Sequence, residues 1–346
     1  MDKFGSASAV FKADLSEILT VKGIRRDVAQ RIVNKTFVSD PEKELSTIEK
    51  AGIRIVTCND TEYPCLLKEI SYPPVILFCK GKKIPKDIIS IGVVGSRNAT
   101  SYGLKAAENI GYGLGRRNVV VVSGLALGID SAAHIGCLKA KGFTVAVLGT
   151  GLDQIYPSSN QRLMEQIINS GIVISEFPMG TRPEPKNFPI RNRIISGMSR
   201  GIVVVEATKK SGSLITARFA LEQNRDVFAV PGSINSFKST GTHFLIKQGA
   251  KLVENAEDVL EDFDFHTGPL FSGSRQNNIS KKALIEEMTK EEQAVYALID
   301  NYPVHIDNIV RASHMEPGKV LSLLMKMELD GYITQLPGRM FVINQS

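Results

Sequence analysis

Short runs of valine and isoleucine alternate with amphipathic segments between residues 84 and 265. Such runs lack the polar alternation of a half-exposed strand, so they are typical of strands buried on both faces of a sheet. Regular alternation of strands and helices is typical of a parallel sheet. The predicted strands are Ile88–Val94, Val119–Val122, Thr144–Leu148, Ile172–Ile174, Ile202–Val205 and Asp226–Val230, and the helices between them include Leu104–Gly115, Ser131–Lys141 and Leu214–Gln223. We therefore predict an α/β domain built on a parallel sheet.

Smaller parts flank this domain, which we place at residues 84–265. In residues 1–83, two apolar series with helical spacing meet at Gly23 and predict a small helical hairpin domain of the SAM or helix-hairpin-helix type. The strand Gly52–Thr57 follows it. Residues 266–289 are rich in glycine, serine, asparagine and lysine, as linkers are. Residues 290–346 predict a winged helix, with helices at Glu291–Asn301, Ile306–Ala312 and Glu316–Asp330 and then a β-hairpin.

Composition restricts the cellular setting and the metal chemistry. The formal net charge of +6 is a modest excess, which indicates nucleic acid only where the positive charges cluster. The four cysteines, Cys58, Cys65, Cys79 and Cys137, form no C-x-x-C pair, so no metal site is expected. No apolar run approaches the roughly 20 residues of a membrane helix, and the first residues do not resemble a signal peptide. We expect a cytoplasmic protein with no membrane partner.

Glycine-rich turns follow three of the predicted strands. They contain Gly95, Gly124 and the segment Gly149-Thr150-Gly151. Ligands of open α/β sheets bind outside the carboxyl ends of the strands, and backbone N–H groups at helix starts bind phosphate. The turns therefore predict a surface of exposed backbone N–H groups that binds phosphates. The alternative is that the glycines only shape tight strand-to-helix turns.

The usual ligands of a Rossmann-like domain do not fit these turns. A dinucleotide fingerprint needs Gly-x-Gly-x-x-Gly, but Ser96 and Arg97 follow Gly95, and Gln154 occupies the third glycine position after Gly149. The sequence contains no phosphate-binding loop of the ATPase type. We therefore predict an extended Rossmann-like domain that uses no cofactor.

A basic segment between Thr181 and Ile195 contains four lysines and arginines against one acidic residue. Lys186 and Arg191 would neutralise phosphates, and the ring of Phe188 would stack a base, which is the chemistry that a single strand needs. Asn187 would read a base edge or shape a turn. The alternative is that Arg191 and Arg193 support the fold, one of them by pairing with Glu176 or Glu206.

A further loop, Glu206–Ala217, ends a strand and opens a helix. Ser211 and Ser213 are candidates to cap that helix. The same N–H groups would otherwise bind an anion, so Ser211, Gly212 and Ser213 are also candidate phosphate ligands.

At these residues the chain resembles the DprA/Smf family (DNA-processing protein A). The motifs are VVGSR at Val93–Arg97, SGLALGIDSAAH at Ser123–His134, GTGLDQIYP at Gly149–Pro157, FPIRNRII at Phe188–Ile195, SGSLITA at Ser211–Ala217 and VPGS at Val230–Ser233. The hairpin, the winged helix and the pattern Asp60, Tyr63-Pro64, Leu66-Leu67 and Pro73-Pro74 also look like this family.

The resemblance implies a non-catalytic protein that binds and protects single-stranded DNA during natural transformation and recombination and loads the RecA recombinase onto it. It implies DNA contacts by Arg97, Lys186, Asn187, Phe188 and Arg191. It also implies a homodimer surface within His243–Leu252, which includes Ile246, and a RecA contact near Leu221 and Asp226. The complete predicted single-strand site comprises Gly95, Ser96, Arg97, Gly124, Gly149, Thr150, Gly151, Lys186, Asn187, Phe188, Arg191, Ser211, Gly212 and Ser213.

One position departs from the family pattern, and two other functions stay open. Ser158 stands where some relatives have lysine after the Tyr-Pro of the third loop. A nucleotide hydrolase of the phosphoribohydrolase type would use Glu176, Glu206 and Arg193. A winged-helix regulator of transcription would turn Lys319 and Lys326 toward a DNA duplex.

Overall fold

The computed structural model describes residues 3–37, 40–86, 88–263, 288–299, 304–330, 332–336 and 338–343. The chain divides into two compact units, residues 1–264 and 265–346. The predicted linker at residues 266–289 lies outside the described residues except for its last two positions.

A nine-stranded sheet forms the centre of the first unit. Its strands are β1 (Arg54–Thr57), β2 (Ile76–Gly81), β3 (Ser90–Gly95), β4 (Val120–Ser123), β5 (Thr144–Val147), β6 (Ile172–Ser175), β7 (Gly201–Val205), β8 (Asp226–Ala229) and β9 (Lys251–Leu252), in the spatial order β1-β2-β6-β5-β4-β3-β7-β8-β9. Strands β3 to β9 pair in parallel with their neighbours, whereas β2 is antiparallel to both β1 and β6. The predicted mostly parallel α/β sheet is therefore confirmed.

Twelve helices are described in this unit. They are α1 (Ala7–Lys12), α2 (Leu15–Leu19), α3 (Arg26–Val33), α4 (Pro41–Lys50), α5 (Cys65–Lys68), α6 (Ser101–Arg116), α7 (Ile129–Lys139), α8 (Gln161–Ser170), α9 (Asn187–Gly197), α10 (Ser213–Glu222), α11 (Thr240–Lys247) and α12 (Ala256–Leu260). Helices α6, α7 and α12 cover one apolar face of the sheet, and α9, α10 and α11 cover the other. The core strands are buried along their whole length, as their uninterrupted apolar runs predict.

The sheet starts earlier in the chain than predicted. Strand β1 lies within the predicted strand Gly52–Thr57, but β2 was not predicted, and both strands extend the sheet beyond β6. The predicted boundary between residues 83 and 84 therefore divides one sheet. Helix α4 also packs on this edge, since Ile48 shares a core with Phe78 of β2.

The second unit has its own core and its own sheet. Its helices are α13 (Lys290–Tyr296), α14 (Ile306–Ser313) and α15 (Pro317–Leu329), and its strands are β10 (Val304–His305), β11 (Ile333–Leu336) and β12 (Met340–Ile343). The strands are antiparallel in the order β10-β12-β11. Three helices and a two-stranded wing confirm the predicted winged helix, and Val295, Ile309 and Leu324 are among its buried residues.

Candidate single-strand site at the sheet edge

The order of the strands reverses between β3 and β7. The chain moves outward from β3 through β4, β5 and β6 on one side, and through β7, β8 and β9 on the other. Ligands of doubly wound sheets bind at such a reversal, outside the carboxyl ends of the strands. A cavity of about 580 Å³ opens there between the loop after β3, the loop before α10 and the start of α9. Its volume falls within the range of about 300–1,000 Å³ that is usual for ligand clefts.

Arg97 and two aromatic rings form the exposed part of this cavity. The guanidinium carbon of Arg97 lies 5.0 Å from the centre of the Phe188 ring. The rings of Phe188 and Tyr156 lie 5.6 Å apart with a tilt of 42°. Arg97 and Tyr156 are exposed and Phe188 is half-buried, so a cation and two ring faces meet at one opening. Tyr156 was not predicted as a site residue. Its place two positions before Ser158, where the chain departs from the family pattern, could have indicated it.

The loop before α10 forms the opposite wall. Helix α10 begins at Ser213 with Gly212 as its N-cap, and no side chain caps the helix. The hydroxyls of Ser211 and Ser213 instead lie 2.8 Å apart and bond to each other. The prediction that either serine caps the helix is therefore wrong, and exposed Gly212 leaves the helix start open to the cavity.

Arg191 is buried beside the same cavity and supports the fold. Its guanidinium donates to the backbone carbonyls of Gly124, at 2.6 Å, and of Val147. Burial lowers its pKa to about 10, and the carboxylate of Asp130 opposes that shift. Only 4% of the residue is exposed, so Arg191 braces the second and third loops, and its predicted contact with DNA stays a prediction.

The second and third glycine loops are covered, so they do not offer the predicted exposed N–H surface. A Cβ atom on Gly124 would overlap the Arg191 guanidinium, and one on Gly149 would lie 3.0 Å from the Phe188 ring. The N–H of Gly124 donates to Asp130, and that of Gly151 donates to the carbonyl of Thr181. Thr150 is buried, and its hydroxyl donates to the carbonyl of Gln154. These glycines let α9 pack closely over the sheet edge.

The first loop is only partly open. The N–H of Ser96 donates to the carbonyl of Glu206 at 2.8 Å, so this amide is already used. Gly95 is required for packing, because a Cβ there would overlap the backbone of Val205. The first loop therefore offers the side chains of Ser96 and Arg97, while the N–H of Ser96 itself is already used.

Buried ionisable groups lie behind the covered loops. Burial raises the pKa of Asp130, and the positive charge of Arg191 reduces that rise. His134 is fully buried, which lowers its pKa to about 3. The hydroxyl of Thr144 donates to the carbonyl of Val121, so it accepts the Nδ1 proton of His134 at 2.7 Å. The histidine is therefore neutral and carries its proton on Nδ1.

The other residues of the basic segment are likewise either exposed or buried. Lys186 is exposed, and its ammonium lies 2.7 Å from a carboxylate oxygen of Glu184. Asn187 is buried, and its side-chain amide donates to the carbonyl of Arg182 at 3.4 Å. This bond supports the alternative role of Asn187 in shaping the turn, and its reading of a base edge stays a prediction. Exposed Ser158 starts a short 3₁₀ helix next to Tyr156.

The carboxylates of the hydrolase alternative are engaged in separate interactions. Glu176 pairs with Arg193, as the sequence predicts for one of the two arginines of α9. Glu206 accepts hydrogen bonds from the backbone N–H of Thr100, at 2.8 Å, and from its hydroxyl. Neither glutamate lines the cavity, so the geometry does not favour them as an acid and base for one substrate there.

The predicted protein-contact residues lie on other parts of the first unit. Leu221 and Asp226 are exposed, and so is Leu252 on β9. His243 and Ile246 are half-buried on α11, and the His243 ring lies 3.0 Å from the carbonyl of Gly232. Phe244, within the same predicted stretch, is as exposed as Leu252.

Membrane-spanning helices and metal-holding clusters are both absent from the described residues. No helix among them has the length and apolar character needed to cross a bilayer. The described part of the chain also contains no cluster of three or more histidine, cysteine, aspartate or glutamate side chains arranged to hold a metal ion.

Two family models match the chain. The one described as DNA recombination-mediator protein A covers residues 54–264, and the one described as DprA winged helix domain covers residues 280–339. The Protein Smf of Synechocystis sp. is 34% identical over 346 residues, which cover 92% of this chain and 87% of the relative. The DNA processing protein DprA of Bacillus subtilis is 41% identical over 260 residues, which cover 73% of this chain and 88% of the relative.

Solved structures agree with these matches. The X-ray structure of DNA processing protein A from Streptococcus pneumoniae aligns with a TM-score of 0.67 at 43% identity, covering 73% of this chain and 88% of that one. A DNA processing protein A from Helicobacter pylori, whose single-stranded DNA binding mode was studied, aligns with a TM-score of 0.55 at 27% identity, covering 60% of this chain and 95% of that one. The chain therefore belongs to the DprA/Smf family.

Proposed function

We propose that this protein binds single-stranded DNA in the cavity between β3 and β7 without acting as a catalyst. The observation that carries the proposal is the exposed Arg97 next to the Phe188 ring at the reversal of strand order. A guanidinium neutralises and hydrogen-bonds a phosphate, and a ring face stacks a base of any sequence.

The walls of the cavity complete the proposed site. Ser96 and Ser211 offer hydroxyls to a phosphate, and Gly212 and Ser213 offer the backbone N–H groups at the uncapped start of α10. Tyr156 extends the stacking surface of Phe188. Lys186 adds a positive charge once it exchanges Glu184 for a phosphate. Arg191 holds the covered loops in place.

The relatives support the choice of single-stranded DNA as the ligand. The Helicobacter pylori relative is described as having a single-stranded DNA binding mode. Several curated relatives are called DNA processing proteins. From these descriptions of the relatives, we propose that this protein acts in DNA processing during transformation or recombination.

Two partners belong to the same proposal. The protein would load RecA onto the bound strand through a surface near Leu221 and Asp226, both of which are exposed. It would form a homodimer through His243–Leu252, where Phe244 and Leu252 expose apolar surface. Co-purification with RecA and light scattering of the full chain test these two contacts, and a monomer that retains no RecA contradicts both.

The winged helix is less suited to reading a duplex. Lys319 lies 2.5 Å from Glu291, and Lys326 lies 2.7 Å from Glu292, so both lysines are paired within their own unit. Lysines that neutralise internal carboxylates contribute less to binding a phosphate backbone. The regulator alternative therefore has no specific support from this helix.

Binding of a labelled oligothymidylate to the full chain and to Arg97→Ala tests the proposal. Loss of one charged phosphate contact should weaken binding about tenfold, and salt should weaken wild-type binding more steeply than variant binding. The same change at exposed Arg116, which lies at the end of α6 outside the cavity lining, is the matched control and should leave affinity unchanged. Equal affinities of Arg97→Ala and wild type would place the strand elsewhere.

A further inference from the structure

The amino-terminal helical hairpin, residues 3–37, holds most of the net positive charge of the protein. It contains seven lysines and arginines against three acidic residues, while the formal charge of the whole chain is +6. The basic residues are all exposed and are Lys3, Lys12, Lys22, Arg25, Arg26, Arg31 and Lys35. A small module with this imbalance presents a concentrated positive field to its surroundings.

The acidic side chains of the hairpin are engaged locally, so most of its cations stay available. Asp14 and Glu17 form the capping box of α2, in which each carboxylate accepts a backbone N–H of the other residue. Asp27 pairs with Arg25 at 3.1 Å. Within the described part of the chain, Lys22, Arg26 and Arg31 have no ion-pair partner.

Arginines occupy the first positions of α3, where helices usually have other residue types. Arg25 is the N-cap without a side-chain hydrogen bond, and Arg26 is the first helical residue. Helix starts favour serine, threonine, aspartate or asparagine at the cap and acidic residues in the first turn. Residues that break a local rule without a gain in stability are expected where they serve a function.

Two exposed aromatic rings stand among these cations. Phe11 precedes Lys12 in α1, Phe37 follows Lys35 by two positions, and the two rings pack edge to face with centres 6.1 Å apart. About half of each residue is exposed. Lysines and arginines interleaved with exposed rings form the surface that binds single strands, in which phosphates meet cations and bases meet ring faces.

We infer that the hairpin is a second binding site for single-stranded DNA, separate from the cavity at the sheet edge. It takes the strand beyond the segment held by Arg97 and Phe188. The choice of single-stranded DNA as its ligand rests on the proposed function. The positive charge and the exposed rings of the hairpin are observed independently of that function. A strand long enough to reach both sites binds more tightly than a short one because the second contact becomes intramolecular.

Two oligothymidylates separate the two sites, one of about six and one of about forty nucleotides. The double variant Lys22→Ala with Arg26→Ala should bind the long strand about tenfold more weakly and the short strand with unchanged affinity. The slope of log affinity against log salt for the long strand should decrease by about 1.4, which is about 0.7 for each cation removed. Arg97→Ala should instead weaken the short strand, so failure of one site is distinguishable from failure of the other.

Matched variants keep the outcome interpretable. Lys82→Ala with Lys86→Ala removes two exposed lysines outside the hairpin and should leave both strands unaffected. The exchanged pair Lys22→Arg with Arg26→Lys keeps the charges and should bind as wild type does. Unchanged long-strand affinity in the alanine double variant overturns the inference. Binding of the hairpin cations to vesicles containing anionic phosphatidylserine, with no contribution to DNA affinity, overturns it in favour of a membrane surface.

Discussion

The glycine-containing loops at the strand ends look alike in sequence and differ in the structure. The loops that contain Gly124 and Gly149 are covered, one by the Arg191 guanidinium and the other by the Phe188 ring. The loops that contain Ser96 and Gly212 remain open to the cavity. A glycine at a strand end thus allows either a ligand or another part of the chain to approach closely.

The same contrast separates the two arginines. Arg191 donates to carbonyls of the covered loops, while Arg97 is exposed over the ring. Substitutions should therefore divide into those that change stability and those that change DNA affinity. The following experiments test that division.

The largest effect is expected for Arg191→Ala. Removal of the guanidinium takes a donor from the buried carbonyls of Gly124 and Val147 and removes the positive charge that most lowers the pKa of Asp130. The free energy of unfolding should fall by about 3 kcal/mol, measured by urea denaturation. Arg97→Ala is the control and should change it by less than about 0.5 kcal/mol. A stable Arg191→Ala protein that has lost DNA affinity would instead make Arg191 a direct contact.

An intermediate effect is expected from pH on His134. Because its pKa is lowered in the folded state, protons favour the unfolded chain as pH falls below the unfolded value of 6.5. Because of this histidine alone, the free energy of unfolding should fall by about 2 kcal/mol when the pH is lowered from 7 to 5. The raised pKa of Asp130 acts in the opposite direction, so the comparison must be made against His134→Asn. Parallel stability curves for the variant and wild type would contradict the assignment.

The smallest effect is expected at Lys186. Its ammonium is already paired with Glu184 and is largely exposed, so Lys186→Ala should weaken single-strand binding only about twofold and leave stability unchanged. Glu184→Gln releases the lysine and should strengthen binding by a similar factor. Titrations of a labelled strand with both variants measure the two shifts, which should have opposite signs. Shifts of the same sign would show that the pair acts as a unit.

Much of the fold follows from the sequence because its signals are local. The six predicted strands of the central sheet all occur, with ends that differ by at most a few residues, since uninterrupted valine and isoleucine runs carry that signal. Helices α6, α7 and α10 also occur close to their predicted ranges. The antiparallel strand β2 was missed because its place depends on pairing with the distant strand β6.

The exposed side chains of the candidate site were predictable from the sequence, whereas the covering of its other residues was not. The charge and ring chemistry of Arg97 and Phe188 can be inferred from the residues alone. The burial of Gly124, Thr150 and Asn187 depends on how α9 folds over the strand ends, and no pattern within the loops reports that. The pairing of Arg193 with Glu176 was foreseen only as one of several options.

Strand β9 has a consequence for the way a second copy can attach. With two residues, Lys251–Leu252, it ends the sheet and leaves few unpaired backbone groups at that edge. An edge this short is a poor template for strand addition, so open-ended pairing of copies at this edge is unfavourable. A dimer built at this edge would be held by side chains such as Phe244 and Leu252 and not by a continuous ladder of backbone hydrogen bonds. One polar substitution among them would then be enough to separate the copies.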